Sequence, residues 1–124
     1  MRIVGIGVDV VEVERMQALL QRQPRFRERV FTPEEVAYCE QVAVPAAAYA
    51  ARWAAREAAA KALGGVPGLR YPDIRVDRGA NGTPHLVLGG AARARAREVG
   101  ASDVLVSLSH ERRIATAFCV AVGG

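Results

Sequence analysis

The pattern of hydrophobic and polar positions along the 124-residue chain predicts an alternation of strands and helices. Residues 2–11 are rich in β-branched side chains and bounded by polar residues, which is typical of a strand. From Val11 to about Gln23 apolar side chains recur at helical spacing, so a helix should follow directly. Pro24 should end this helix at or before Gln23, because a residue that precedes proline is disfavoured in the helical conformation.

The F-T-P-E-E segment predicts the start of a second helix. Thr32 has the side chain of an N-cap, Pro33 suits the first helical position, and Glu35 can complete a capping box with Thr32. We expect this helix to run to about Val42, and Pro45 separates it from the next one.

Residues 46–63 give the strongest helical signal in the chain. Alanine dominates this stretch, no Gly or Pro interrupts it, and Gly64 and Gly65 supply the signal for its end. Because so many small side chains allow another backbone to come close, the stretch predicts a buried central helix.

The second half of the chain predicts two hairpins and a short helix. Residues 73–78 and 85–88 should form the first hairpin, a helix should span about 91–99, and residues 104–109 and 114–122 should form the second hairpin. The whole order of elements favours an α+β fold, with an antiparallel sheet packed on the central alanine-rich helix.

Composition narrows the class of protein. With 51% hydrophobic and 24% charged residues, the chain should be an ordered protein, and its length suits a single domain over residues 1–124. No apolar run approaches the ~18–20 residues of a membrane-spanning helix, so we expect no membrane contact. Cys39 and Cys119 lie far apart, without metal-ligand spacing, and Cys119 should be a small buried apolar residue. A reduced, cytoplasmic protein without structural zinc is the expectation.

The net charge of +4 comes from 17 basic and 13 acidic residues, and Lys61 is the single lysine. Arg15 and Arg22 are seven residues apart on one helix face, and Arg25 follows beyond Pro24. Such a cluster is either a solvated face or a docking surface for an acidic partner. The basic character also admits a small nucleic-acid-binding protein, although seven aromatic residues and no known motif speak against it.

Three charged residues are the first candidates for chemistry. Asp9 directly follows an apolar strand, where a carboxylate needs either backbone amides or a metal as its partner. Glu57 and Lys61 stand four residues apart on the central helix, so they form either a solvated ion pair or part of a site.

The S-L-S-H-E segment is the next candidate. Ser107 and Ser109 share one face of a strand, and His110 follows them. Because no G-x-S-x-G elbow surrounds either serine, a contact from His110 to a phosphate or ribose is a better hypothesis than a serine hydrolase. The G-G-V-P-G-L segment, which contains Gly64 and Gly65, could also wrap a phosphate, although it lacks the Lys-Ser/Thr ending of a P-loop.

Taken together, the motifs resemble those of the holo-acyl-carrier-protein synthases, which are small bacterial 4′-phosphopantetheinyl transferases. The resemblance covers essentially the whole chain and is carried, in order, by four segments: G-I-G-V-D, F-T-P-E-E, R-W-A-A-R-E-A-A-A-K-A-L-G and V-S-L-S-H. One departure is visible, because the family usually has Lys where this chain has Arg56.

The resemblance implies a fold of the phosphopantetheinyl transferase type and an activity. Such an enzyme transfers the 4′-phosphopantetheine of coenzyme A to a serine of apo-acyl carrier protein, requires Mg²⁺ and releases adenosine 3′,5′-bisphosphate. It also implies a homotrimer with active sites between subunits. A coenzyme A or nucleotide-binding module without activity is the alternative that would keep the phosphate contacts and lose the metal.

The resemblance also assigns roles to individual residues. Asp9 and Glu57 correspond to the metal-binding carboxylates, and Lys61 to a catalytic lysine. The residues that correspond to coenzyme A contacts are Arg52, Arg56, Gly64, Gly65, Ser109 and His110. The residues that should meet the acidic carrier protein are Arg15, Met16, Arg22 and Arg25.

Overall fold

The computed structural model describes all 124 residues and consists of two small antiparallel sheets arranged around one long helix. The first half of the chain forms strand β1 (Arg2–Glu12) and helices α1 (Val13–Arg22), α2 (Phe26–Val30), α3 (Pro33–Gln41) and α4 (Pro45–Ala62). The second half forms a 3₁₀ turn (Tyr71–Asp73), strands β2 (Ile74–Arg78) and β3 (Pro84–Leu88), helix α5 (Gly90–Val99), and strands β4 (Asp103–His110) and β5 (Ile114–Gly123).

The predicted elements are all present, with small differences at their ends. β1 continues to Glu12 because it stays paired with β5 as far as Ile114, so α1 begins at Val13 instead of Val11. The capping box that starts α3 is formed: Thr32 accepts from the Glu35 N–H, and Glu35 accepts from the Thr32 N–H. The sequence did not predict α2, whose five residues are too few to show a helical period.

The predicted α+β fold, with an antiparallel sheet packed on the central helix, is confirmed, and the strands divide into two sheets. The larger sheet has the order β1-β5-β4, and the smaller one is the β2-β3 hairpin. The inner face of the larger sheet packs on α4 with small side chains such as Ala117 and Cys119. Its outer face carries exposed apolar side chains, among them Ile6, Val8 and Phe118.

Helix α4 is the buried centre of the fold, as the alanine-rich sequence predicted. Thirteen of its eighteen residues are buried, and it contributes to both hydrophobic cores. One core lies between α4, the sheets and α5, and the other lies between α4 and the helices α1, α2 and α3. The helix therefore has no solvated face along most of its length, and each polar residue on it needs a specific explanation.

Both cysteines are free and fully buried. Burial raises the pKa of the Cys39 thiol to about 11 and that of the Cys119 thiol to about 12. Cys119 packs in the core beside α4, so the prediction that it is a small buried apolar residue is confirmed. No helix of the chain is both long and apolar enough to cross a membrane.

Candidate active site

Asp9, Glu57 and Lys61 meet where β1 crosses α4. The Lys61 Nζ donates to the Val8 carbonyl oxygen at 2.9 Å and lies 3.4 Å from the Asp9 Oδ1. Glu57 stands one helical turn before Lys61 and lines the same groove as Asp9. Burial, and next the negative charge of Asp9, raise the pKa of the Glu57 carboxyl, while Lys61 opposes the shift.

Two glycines of β1 set the position of Asp9 against the helix. A Cβ on Gly5 would lie 2.1 Å from the Ala62 carbonyl oxygen, and one on Gly7 would lie 2.0 Å from that of Ala58. The strand backbone therefore lies directly on the helix backbone. Two strand residues advance about as far as four helix residues, so each step along this face of β1 matches one turn of α4. Asp9 is the next residue on that face, and it reaches the turn that carries Glu57.

Helix α1 forms the other wall of this groove, which we call the carboxylate groove. The groove encloses about 720 Å³ and receives the exposed side chains of Arg15 and Arg22 from α1. The prediction that these two arginines share one helix face is confirmed, because both line the groove. Arg25 is exposed at the start of α2, just beyond the end of α1.

Asp9 and Glu57 fit a hard divalent cation. Their carboxylate oxygens are the ligand type that Mg²⁺ prefers, and their mutual repulsion is of the kind that a cation relieves. The chain brings no third His, Cys, Asp or Glu to them that would complete a protein-only site. Mg²⁺ usually keeps open positions for substrate phosphate oxygens and water, so a pair of carboxylates meets its requirement.

A second groove, which we call the arginine groove, lies between α3, α4, β2 and β4. It holds Arg52, Ser109 and His110, which the sequence analysis assigned to coenzyme A, together with Tyr38 and Arg78. The Arg52 and Arg78 guanidinium carbons lie 4.4 Å and 4.9 Å from the centre of the Tyr38 ring. Arg52 is only 4% exposed, and its Nε has no hydrogen-bond partner. The positive charges of Arg52 and Arg78 on this groove are of the kind that suits an anion.

Sequence reasoning did not identify Tyr38 and Arg78 as part of this groove. Tyr38 belongs to α3 and Arg78 ends β2, so only the fold brings them beside Arg52 on α4. An aromatic ring flanked by arginine is a recognisable pairing in a structure, but no sequence spacing relates these three residues.

Arg56 requires a correction, because it does not reach a surface where it could contact a phosphate. It is 1% exposed, and its guanidinium forms a two-pronged ion pair with Glu35. The Arg56 Nε also donates to the Tyr71 carbonyl oxygen at 3.0 Å, and Nη1 donates to that of Arg52 at 3.2 Å. Four of the five N–H groups of this side chain are therefore used inside the protein.

Met16 requires a correction as well. Met16 was expected on a docking surface, but it is 3% exposed and packs in the core with Leu20 and Phe26. It contributes to the lining of the carboxylate groove but exposes little surface area to a partner.

Gly64 and Gly65 follow the last turn of α4 and are exposed. Both have positive φ angles of 74° and 93°, which confirms their predicted role in ending the helix. Arg95 of α5 holds this end, because its Nε donates to the carbonyl oxygens of Leu63 and Gly65.

The fold and the motifs place the chain in a known family. The family model of the 4′-phosphopantetheinyl transferase superfamily matches residues 5–119. A holo-[acyl-carrier-protein] synthase of Anaeromyxobacter dehalogenans is 46% identical over 98% of this chain and 97% of its own length. The chain belongs to the 4′-phosphopantetheinyl transferase superfamily.

Solved structures make the assignment more specific. The holo-[acyl-carrier-protein] synthase of Neisseria meningitidis superposes with a TM-score of 0.87 at 36% identity, covering 97% of this chain and 98% of that one. A holo-(acyl-carrier-protein) synthase of Bacillus anthracis, solved with CoA (3′,5′-ADP), superposes with a TM-score of 0.80 at 29% identity over the full length of both chains. The chain is thus an enzyme of the holo-[acyl-carrier-protein] synthase type, which transfers phosphopantetheine from coenzyme A. These similarities favour the transferase over the two alternatives, a nucleic-acid-binding protein and a coenzyme A-binding or nucleotide-binding module without activity.

Proposed function

We propose that the enzyme transfers 4′-phosphopantetheine to a serine of apo-acyl carrier protein in a Mg²⁺-dependent reaction that releases adenosine 3′,5′-bisphosphate. The observation that carries the proposal is the meeting of Asp9 and Glu57 in one groove, with the Lys61 ammonium beside Asp9. Two free, buried thiols support a reducing compartment, so we place the reaction in the cytoplasm, where it would activate carrier protein for fatty acid biosynthesis.

Asp9 and Glu57 would hold Mg²⁺ through one carboxylate oxygen or more each. When bound, the metal offsets charge on the coenzyme A diphosphate and makes the phosphorus a better target. Lys61 stands beside Asp9, where its ammonium can hold a diphosphate oxygen and stabilise negative charge that develops on the leaving oxygen. In the reaction, the serine oxygen bonds to the phosphorus that carries pantetheine. The bond from that phosphorus to the bridging diphosphate oxygen breaks, and the serine proton is released.

The arginine groove would receive the 3′-phosphate of coenzyme A. Arg52 offers a buried unpaired Nε, and His110 and Ser109 lie at the end of β4 on the same groove. Arg78 adds a second cation that the resemblance did not predict, and Tyr38 supports both guanidinium groups. Gly64 and Gly65 lie exposed at the end of α4, where their backbone amides can approach the substrate.

The enzyme would act as a homotrimer whose active sites lie between subunits. The carboxylate groove and the arginine groove share no lining residue. The outer face of the larger sheet exposes apolar side chains from all three strands, which is unusual for a surface that stays in water. A second copy covering this face would remove these apolar side chains from water.

Phe118→Glu should break this assembly. Phe118 is 45% exposed at the middle of the central strand β5, and a carboxylate there would be buried without a partner in the oligomer. We expect native mass spectrometry to give trimers for the wild-type enzyme and monomers for Phe118→Glu. Arg97→Glu, which adds negative charge on the exposed side of α5, should remain trimeric. A trimeric Phe118→Glu would exclude this face as the interface.

The carrier protein would dock on the basic side of α1. Arg15, Arg22 and Arg25 are exposed beside the carboxylate groove, so an acidic partner held there would present its serine to Asp9 and Glu57. Met16 is excluded from this surface by its burial.

Arg22→Glu should therefore weaken the binding of carrier protein and leave the binding of coenzyme A almost unchanged. Reversing one charge at a complementary surface should raise the KM for carrier protein about tenfold, and more at low salt, while the KM for coenzyme A changes less than about twofold. Steady-state kinetics with each substrate varied in turn measure both values. Arg97→Glu makes the same charge change on α5 and should leave both near the wild-type values. An equal rise in the two KM values of Arg22→Glu would contradict a docking role.

The release of adenosine 3′,5′-bisphosphate tests the proposed reaction. With coenzyme A, apo-acyl carrier protein and Mg²⁺, the nucleotide should appear on chromatography in the same molar amount as modified carrier protein. A chelator should stop both, and added Mg²⁺ should restore both. Undiminished release after removal of all divalent cations would contradict the metal role of Asp9 and Glu57.

A further inference from the structure

Glu35 is the one buried carboxylate of the molecule, and it accepts four hydrogen bonds. Its Oε1 accepts from the Thr32 N–H at 2.9 Å and from Arg56 Nη2, and its Oε2 accepts from Arg56 Nη1 at 3.1 Å and the Val76 N–H at 3.0 Å. Glu35 and Arg56 are 2% and 1% exposed. One buried ion pair thus joins α3, α4 and β2, and neither side chain is exposed to a substrate.

Each of the three elements joined by this pair also carries one residue of the arginine groove, on the same face and one structural repeat away from the residue that takes part in the pair. Tyr38 is three residues after Glu35 on the same face of α3. Arg52 is one turn before Arg56 on α4. Arg78 follows two residues after Val76 on the same face of β2. Glu35, Val76 and the three groove residues also line one continuous hollow.

We infer that Glu35 and Arg56 are positioning residues for the phosphate contacts of the arginine groove. The inference rests on the proposed function, in which that groove takes a coenzyme A phosphate. The ion pair sets how α3, α4 and β2 lie against one another. It therefore fixes Arg52 and Arg78 at 4.4 Å and 4.9 Å from the Tyr38 ring, with the Arg52 Nε left free. Arg52 and Arg78 carry like charges and both lie against the one Tyr38 ring, so the elements that carry them must be held in place for this arrangement to persist.

The planar fork of Arg56 suits this task in a way that lysine does not. One guanidinium reaches both Glu35 oxygens, the Tyr71 carbonyl oxygen and the Arg52 carbonyl oxygen at the same time. A lysine ammonium has three donors and no fixed plane, so it keeps the charge and loses part of the network. Arg56→Lys thus tests position without leaving a buried unpaired carboxylate.

Binding of coenzyme A measured by calorimetry tests the inference without relying on turnover. We expect Glu35→Asp, which keeps the charge with a shorter reach, to remain folded and to raise the Kd for coenzyme A about tenfold, since hydrogen bonds to charged groups are lost at the residues that hold the groove. The preference for coenzyme A over 3′-dephospho-coenzyme A should shrink by a similar factor. Arg56→Lys installs the residue that the family usually has at this position, should act in the same direction with a smaller effect, and replaces Glu35→Asp if the latter does not fold.

Glu40→Gln is the matched control. Glu40 also joins α3 to neighbouring helices, through Arg27 at 3.0 Å and the Tyr49 hydroxyl at 2.5 Å, but it lies outside the arginine groove. Its variant should lower the melting temperature and leave the Kd and the 3′-phosphate preference unchanged. If Arg56→Lys and Glu35→Asp behave like Glu40→Gln, the positioning role is wrong and the pair serves stability alone. A wild-type enzyme that binds coenzyme A but transfers nothing would overturn the proposed function and leave this comparison of affinities intact.

Discussion

Glu57→Gln and Asp9→Asn should each lower turnover by more than about a hundredfold, because each removes one of the only two charged oxygen ligands that the chain offers to Mg²⁺. Both replacements keep the shape of the side chain, so the groove remains and its charge changes. The affinity for Mg²⁺, measured by calorimetry with coenzyme A present, should fall together with turnover.

Glu57→Gln should not destabilise the fold. Burial and the neighbouring Asp9 raise the pKa of Glu57, so its charged form costs stability at neutral pH and Glu57→Gln removes that cost. We expect the melting temperature of Glu57→Gln to equal or exceed that of the wild-type enzyme. Glu14→Gln is the matched control, since Glu14 lines the same groove from α1 and should lose less than about threefold in turnover. Near-normal turnover in Glu57→Gln would remove the metal assignment.

Gly7→Ala should have the largest effect on stability of any single methyl group added to β1. The new Cβ would lie 2.0 Å from the Ala58 carbonyl oxygen and 2.9 Å from the Ala62 nitrogen, and both atoms belong to the helix backbone. Strand and helix would have to separate, at a cost of about 3 kcal/mol or more in the free energy of unfolding. Chemical denaturation measures this loss.

The separation of β1 from α4 should also displace residues of the active site. Lys61 is held by the Val8 carbonyl oxygen and Asp9, and both lie on the strand that Gly7→Ala displaces. Turnover below the melting temperature should therefore fall even where the variant is folded. Gly89→Ala is the control, because nothing lies within 4 Å of its added Cβ, and it should cost less than about 1 kcal/mol. A folded Gly7→Ala enzyme with normal stability and turnover would show that the strand does not set the position of Asp9.

Much of this architecture could be predicted from the sequence, because local patterns determine it. The capping box at Thr32 and Glu35 defined the start of α3, and the uninterrupted alanines defined α4. The glycine spacing in G-I-G-V-D has a long-range cause instead, which is the close contact of Gly5 and Gly7 with α4, and only the fold shows it. Short elements such as α2 could not be predicted, because a single turn shows no period.

The parts of the site that could not be predicted depend on contacts between distant segments. Arg56 was assigned to a phosphate through the resemblance, because it keeps a positive charge where the family usually has Lys, but Arg56 and Glu57 point in directions about 100° apart on the helix. Only the fold brings Glu35 to Arg56, 21 residues away, and Tyr38 to Arg78. Met16 was assigned to the α1 docking face through the resemblance, but it directly follows Arg15 on the helix, points away from the arginines and packs in the core.

The mass of the carrier protein tests the central claim most directly. Apo-acyl carrier protein incubated with the enzyme, coenzyme A and Mg²⁺ should gain the mass of one phosphopantetheine group, located on its serine by fragmentation, and Glu57→Gln enzyme should produce no gain in the same time. A carrier protein whose mass stays unchanged with the wild-type enzyme would contradict the account.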